Sequence, residues 1–184
     1  MRRPRSRFPA GMAAAAVLGL VAGLSAAEKE AFRGRILMAG FSNNITIKIE
    51  VSDFSTLEEI AALREALDQG EGAFRKVFRK TVKGNLMFYG VEQPSVKFFA
   101  AFETPTEKGR AISLFSENRT ILSGPGQAYT GLLFLVATLE IDAEGNGEGR
   151  LYESAYIQFT PDGRLGLESF RAAPAQIIQV RRAK

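Results

Sequence analysis

From Asn85 to the C terminus the chain keeps a period of two, with short runs of alternating apolar and polar residues broken by Gly, Pro, Asn and Asp. A strand turns successive side chains to opposite faces, so this rhythm specifies strands half-buried in a sheet. The spacing predicts strands over Leu86–Tyr89, Ser95–Thr104, Arg110–Glu117, Gly131–Asp142, Glu148–Thr160, Arg164–Phe170 and Ala175–Arg181. The connectors Pro105-Thr-Glu-Lys-Gly109, Ala143-Glu-Gly-Asn-Gly147 and Thr160-Pro-Asp-Gly163 are turn-forming and too short for a crossover, which makes the strands they join antiparallel. Ser123-Gly-Pro-Gly-Gln127 lies in a longer connection, so the strand ending at Glu117 need not hairpin into the next.

Upstream, Ile45-Thr-Ile-Lys-Ile-Glu-Val51 alternates without a break and reads as a strand with one wet side. Ser55 with Glu58, or Thr56 with Glu59, offers a capping box that starts a helix. Leu57, Ile60, Leu63 and Leu67 supply its apolar stripe, and Gly70 its stop. A second, shorter helix is expected from Gly72 to Lys80, with Phe74, Val77 and Phe78 inward. The helix stripe and the apolar face of Ile45–Val51 are expected to pack together. The fold class is therefore α+β and mainly antiparallel β. A strand and two helices at about 55–80 precede a meander of seven to eight strands, which curls into a barrel-like or sandwich sheet to limit exposed edges. Residues 45–184 form one β-rich domain, and residues 28–44, with the apolar patch Ile36-Leu37-Met38, are a first strand or an N-terminal arm.

The first 27 residues read differently. Arg2, Arg3, Arg5 and Arg7 lead an apolar stretch from Gly11 to Leu24, followed by Ser25, Ala26 and Ala27. That order is a signal peptide with cleavage expected after Ala27, and it implies an exported, periplasmic or extracellular protein. Phe8–Ala27 is also about long enough to span a bilayer, so retention as an anchor is the other reading, and membrane attachment is expected only in that case. The chain has 24 basic and 20 acidic residues; without the four leader arginines the two signs balance. A net-charge argument for nucleic acid falls away, and no nucleic-acid partner is expected.

The sequence contains no histidine and no cysteine. Disulfides, thiol nucleophiles, Ser-His and Cys-His catalysis and the usual zinc and copper sites all lose their central residue. No phosphate-cradling glycine loop, Ser-x-x-Lys or nucleophile elbow is present either. The chain is read as non-enzymatic, with no catalytic, cofactor-binding or metal-ligating residue assigned and no cofactor.

Phe54-Ser-Thr-Leu-Glu-Glu59, Gly109-Arg-Ala-Ile-Ser-Leu114, Asn118-Arg-Thr120, Leu139-Glu-Ile-Asp-Ala-Glu-Gly-Asn-Gly-Glu-Gly149 and Leu167-Glu-Ser-Phe170 occur in that order. In this the chain resembles a family of uncharacterised exported bacterial proteins, over roughly residues 45–180. The resemblance implies export and a β-rich fold, and carries no site.

Three constellations bear on function. Asp142, Glu144, Asn146, Glu148 and Glu153 place oxygens at positions 1, 3, 5, 7 and 12 of a twelve-residue calcium loop, with Gly147 at position 6. Glu at position 3, Gly149 at position 8 and flanking strands all depart from that motif, so the segment is read as a glycine-rich hairpin with solvated carboxylates. Arg75, Lys76, Arg79, Lys80 and Lys83 form a basic face, read as solvated and balanced by Glu58, Glu59, Glu65 and Asp68. Phe88, Tyr89, Phe98, Phe99, Phe102, Phe115, Phe134, Tyr152, Tyr156 and Phe159 fall in strands, where they fill a core or line an apolar cavity. The expected function is a non-catalytic envelope interaction or structural protein with an envelope or protein partner. The alternative is a β-barrel-like module binding an apolar small molecule.

Overall fold

The computed structural model describes residues 29–37, 44–92, 95–117, 133–161 and 163–183. The segment read as a signal peptide, Met38–Gly40, Asn118–Thr120 and Ser123–Gln127 lie outside the described residues. Within them the chain runs β1 (Glu30–Leu37), β2 (Ile45–Val51), α1 (Leu57–Asp68), α2 (Glu71–Phe78), β3 (Gly84–Tyr89), β4 (Val96–Phe98), β5 (Ala100–Thr106), β6 (Gly109–Glu117), β7 (Phe134–Asp142), β8 (Asn146–Phe159), β9 (Leu165–Phe170) and β10 (Ala175–Arg182). This is a mainly antiparallel α+β fold. Of the two readings open for residues 28–44, the strand holds for Glu30–Leu37, which pairs with β2 on one side and β10 on the other.

The strands form a 10-stranded sheet in the order β4-β3-β2-β1-β10-β8-β7-β6-β5, with β9 beside β8. Every ladder is antiparallel. The long β8 serves two partners along one edge: Asn146–Leu151 pairs with β10, and Ala155–Phe159 with β9. The hydrogen-bonded path ends at β4 and β5, which are separated in the chain by Phe99 alone. The strand expected over Ser95–Thr104 is thus split. Its neighbour on the β4 side continues past β3, because Lys83 N–H donates to the Phe98 carbonyl and Ser55 N–H to the Ala101 carbonyl, both at 2.8 Å. Ala101 N–H returns a bond to Ser55 Oγ at 3.1 Å.

Two cores lie on opposite faces. One face gathers Phe32, Ile47, Leu86, Phe98, Leu114 and Leu139, drawn from β1 to β7, with Leu151 of β8 and Ile177 of β10. The other gathers Ile60 and Leu63 of α1 and Phe74 and Phe78 of α2 against Phe102, Phe115, Phe134 and Tyr152. The helices therefore do not meet the apolar face of β2: Ile47, Ile49 and Val51 belong to the first core, and the helical stripe covers β5 to β8. Of the expected stripe Ile60 and Leu63 are buried, and Ala66 is buried in place of Leu67. Leu57 stays 75% exposed and Leu67 42%. Leu57 is the first helical residue, one turn ahead of the surface the stripe covers. The start follows the second capping box: Thr56 Oγ1 accepts from Glu59 N–H, and Glu59 accepts from Thr56 N–H.

One ion pair ties distant strands. Arg110, at the start of β6, makes a two-pronged contact with Glu30 at the start of β1 and a 2.7 Å bond to Glu103 of β5. Glu30, with burial opposing, and then Glu103 hold the Arg110 guanidinium above its ordinary pKa. Four steps of the strand path separate β1 from β6, so this contact requires the sheet to bend back toward itself.

Candidate functional site

The outer side of β10, β1 and β2 is built on one local irregularity. In β1, Phe32 and Ile36 point into the core, so Arg33 and Arg35 point out. In β10 a strict alternation would bury Ile177, Gln179 and Arg181 together. The chain avoids this with a bulge: Arg33 pairs with Arg181 but Arg35 with Ile178, leaving two residues opposite Gly34. Gln179 takes the left-handed conformation, φ 53°, which returns Val180 to the core and keeps Arg181 outside. A non-glycine residue pays about 1–2 kcal/mol for that conformation. Gly34 faces the bulge, and a methyl group there would lie 3.2 Å from the Ile178 carbonyl and 3.3 Å from an Ile177 methyl.

The consequence is a concentration of positive charge. Arg181, Arg33 and Lys48 stand side by side in one cross-strand row, and Arg35 occupies the next row, opposite Thr46. Directly opposed side chains have Cβ atoms about 4.5–5.5 Å apart, and residues two apart on a strand are separated by about 7 Å. Lys48 is neutralised by Glu50 at 2.6 Å. Arg182 comes only within 3.9 Å of Glu30. Arg33, Arg35 and Arg181 make no ion pair among the described residues. A shallow groove of about 630 Å³ runs between Arg33, Arg35, Thr46, Gln179 and Arg181. Like charges set directly opposite on a sheet weaken it, so the row gives the fold no benefit of its own.

The basic face read on α2 is arranged otherwise. Arg75 pairs with Glu71 at 2.7 Å and lies 3.7 Å from Glu117, and Arg79 pairs with Glu117 at 2.5 Å. The Glu117 carboxylate raises the Arg79 pKa through a hydrogen bond and direct attraction. Lys83 does not belong to that face at all. It is 2% exposed and sits between Glu59 at 2.8 Å and Asp53 at 3.0 Å, with a further bond to the Phe54 carbonyl at 3.2 Å. Burial pulls its pKa down, but the hydrogen bonds and charges of Glu59 and Asp53 outweigh that and leave it raised. This lysine pins the start of α1 to the entry of β3.

The remaining candidates occupy a turn and the two cores. Asp142 to Asn146 turns β7 into β8: the Asp142 carboxylate accepts from Asn146 N–H at 2.8 Å, and Gly145 takes φ 86° at the tip. Among the described residues no group of three or more acidic side chains converges as a metal site would require. The aromatic residues divide between the cores: Phe98 lies in the first, and Phe102, Phe115, Phe134 and Tyr152 in the second. A cavity of about 230 Å³ opens between Leu67, Phe74, Phe134, Tyr156, Ile157 and Phe159, outside the first core and against the helices.

Sequence reasoning missed the arginine face because Arg33 and Arg181 are far apart in the chain. The one local signal is Phe32-Arg-Gly-Arg-Ile36, an alternation inside a stretch that reads from sequence as either a strand or an arm. Compared with known proteins, the chain matches no family model, no curated protein and no solved structure.

Proposed function

We propose that this is a non-catalytic protein of the bacterial envelope that works through its arginine face, holding an anionic partner against the outer side of β1 and β10. The observation that carries the reading is the direct opposition of Arg33 and Arg181 with neither in an ion pair among the described residues, the nearby Glu50 being taken by Lys48. An unfavourable cross-strand pair costs roughly 0.2–1 kcal/mol. A cationic side chain near an anionic surface gains about 1 kcal/mol. The arrangement is favourable only when the partner is present. The leader sequence supports export, and the sequence resemblance over residues 45–180 points the same way.

We also infer that the sheet is barrel-like. Support comes from β4 and β5 being one chain segment broken at Phe99, from the Ser55–Ala101 exchange, and from the Arg110–Glu30 pair across the end. Such a scaffold holds the arginines on a rigid convex wall. The apolar-ligand alternative has less behind it. Leu114, Leu135 and Leu139 at 0% exposure crowd the face such a ligand would occupy, and the 230 Å³ cavity lies elsewhere.

Fluorescence anisotropy with labelled inorganic polyphosphate tests the surface reading. Saturable, salt-sensitive binding by the wild type is expected, with at least a 10-fold loss in the Arg33→Glu, Arg181→Glu double variant. Equal affinity in the two proteins would refute the assignment of the face. N-terminal sequencing of the protein recovered from its host tests export, and a start near Glu28 is expected.

A further inference from the structure

We infer that the anionic partner is a lipid bilayer, and that Leu37, Tyr89 and Val91 enter it at one edge of the arginine face; the inference rests on that face being the working surface. The large apolar residues that stay exposed are few among the described residues, and these three gather at one place, with Leu37 36% exposed, Tyr89 48% and Val91 41%. Leu37 follows Arg35 by two residues on the outward side of β1. Tyr89 opposes Thr46, which opposes Arg35, so all three share a row on the same face. β1 and β3 run in the same direction, each antiparallel to β2, so their last residues Leu37 and Tyr89 lie at the same end of the sheet. Val91 follows two residues later, after Gly90 turns the chain at φ 78°.

A cationic surface with an apolar and aromatic fringe matches a membrane interface. Arginine reaches headgroup phosphates while its stem lies along apolar surface. Tyrosine prefers the headgroup level, and short aliphatic side chains gain by leaving water. The cations are spread over β10, β1 and β2 and share a shallow groove, which suits an extended charged surface better than one enclosed anion. Single-stranded nucleic acid is the less fitting polyanion, because its bases need aromatic platforms along the groove. Here the middle of the groove is Gly34, Thr46 and Gln179, and Tyr89 stands at the edge.

The test is vesicle flotation of the full chain recovered from its host, with phosphatidylglycerol-containing vesicles, pure phosphatidylcholine vesicles and soluble polyphosphate run in parallel. The phosphatidylcholine arm corrects for any apolar leader still attached. The sequence contains no tryptophan, so Tyr89→Trp is a single reporter at an exposed position. Expected are at least 10-fold stronger flotation with the anionic vesicles, a blue shift of the tryptophan emission with them and none with polyphosphate. Leu37→Ser with Val91→Ser should weaken vesicle binding at least 5-fold and leave polyphosphate binding unchanged. Polyphosphate binding without vesicle binding would overturn the bilayer as partner and leave the arginine face standing. Vesicle binding with neither a blue shift nor an effect of the serine substitutions would overturn the apolar edge. Failure to bind polyphosphate and vesicles alike would overturn both readings.

Discussion

The arginines of α2 and those of β1 and β10 start from the same chemistry and end in different states. On α2 the basic residues lie close in sequence and the two arginines are met by carboxylates: Glu71 and Glu117 take Arg75, and Glu117 takes Arg79, while Lys76 and Lys80 make no ion pair among the described residues. On the sheet, residues far apart in the chain are brought together; the nearby Glu50 is taken by Lys48, and Arg33, Arg35 and Arg181 make no ion pair among the described residues. Lys83 is the extreme of the first kind, a buried cation held by two acids. A run of basic residues in sequence is thus a weak sign of a binding surface. The informative quantity is the charge left over after the fold has supplied partners.

If the outer arginines serve a partner and not the fold, the two sides of β1 and β2 should respond very differently to truncation. Ile47 is 1% exposed in the first core, and Ile47→Ala is expected to cost ~2–5 kcal/mol through lost burial and a cavity. Arg33→Ala should stay within ~0.5 kcal/mol of wild type. Urea melts compare the two, and equal losses would break the distinction between inner and outer face.

Lys83→Met tests the other end of the comparison. It leaves Asp53 and Glu59 facing an apolar group. Because those carboxylates are 54% and 34% exposed, the loss should fall below that of a fully buried pair, at about 2–3 kcal/mol. The pKa of Lys83 is raised on folding, so its contribution is complete below the ordinary lysine value of about 10.4 and disappears as the pH rises through the folded value. The stability gap between wild type and variant should therefore be flat from neutral pH to about pH 10 and close above it.

Glu117→Gln removes the carboxylate shared by Arg75 and Arg79. Arg79 is half exposed, so solvent screens the pair and the loss of stability should be small. The same variant should convert part of α2 into a free basic surface and raise polyphosphate affinity a few-fold in anisotropy titrations. No gain would mean that neutralisation is not what silences that face. The smallest expected effect is at the bulge, where Gln179→Gly should add ~0.5–1 kcal/mol to stability by relieving the positive φ. Thermal melts give the check, and a loss would show that the glutamine side chain itself holds the bulge.

Much of this fold is legible residue by residue because local rules agree. Ile45–Val51 alternates, Thr56 and Glu59 form a box, and the turn at Asp142–Asn146 carries the residues such turns require. The break at Phe99 is not legible. Phe98, Phe99, Ala100, Ala101 and Phe102 are all apolar, so no period marks where the strand changes partners. The placement of β10 between β1 and β8 depends on pairing segments more than 130 residues apart, which no local pattern encodes. Lys83 looked like one more member of a basic run; only the path from β2 into α1, which sets Asp53 and Glu59 around it, makes it structural. The arginine face combines both difficulties: a long-range pairing, and a bulge that alternation alone would not place.

The central claim, that charge left unpaired by the fold is the charge that binds, is tested by removing two positive charges from each surface in turn. Arg33→Ala with Arg181→Ala should lower polyphosphate affinity at least 10-fold and reduce its dependence on salt, because about two ionic contacts are lost. Arg75→Ala with Arg79→Ala removes the same charge from α2 and should change affinity less than 2-fold. Equal losses from the two pairs would contradict the account, since net charge and not its placement would then govern binding.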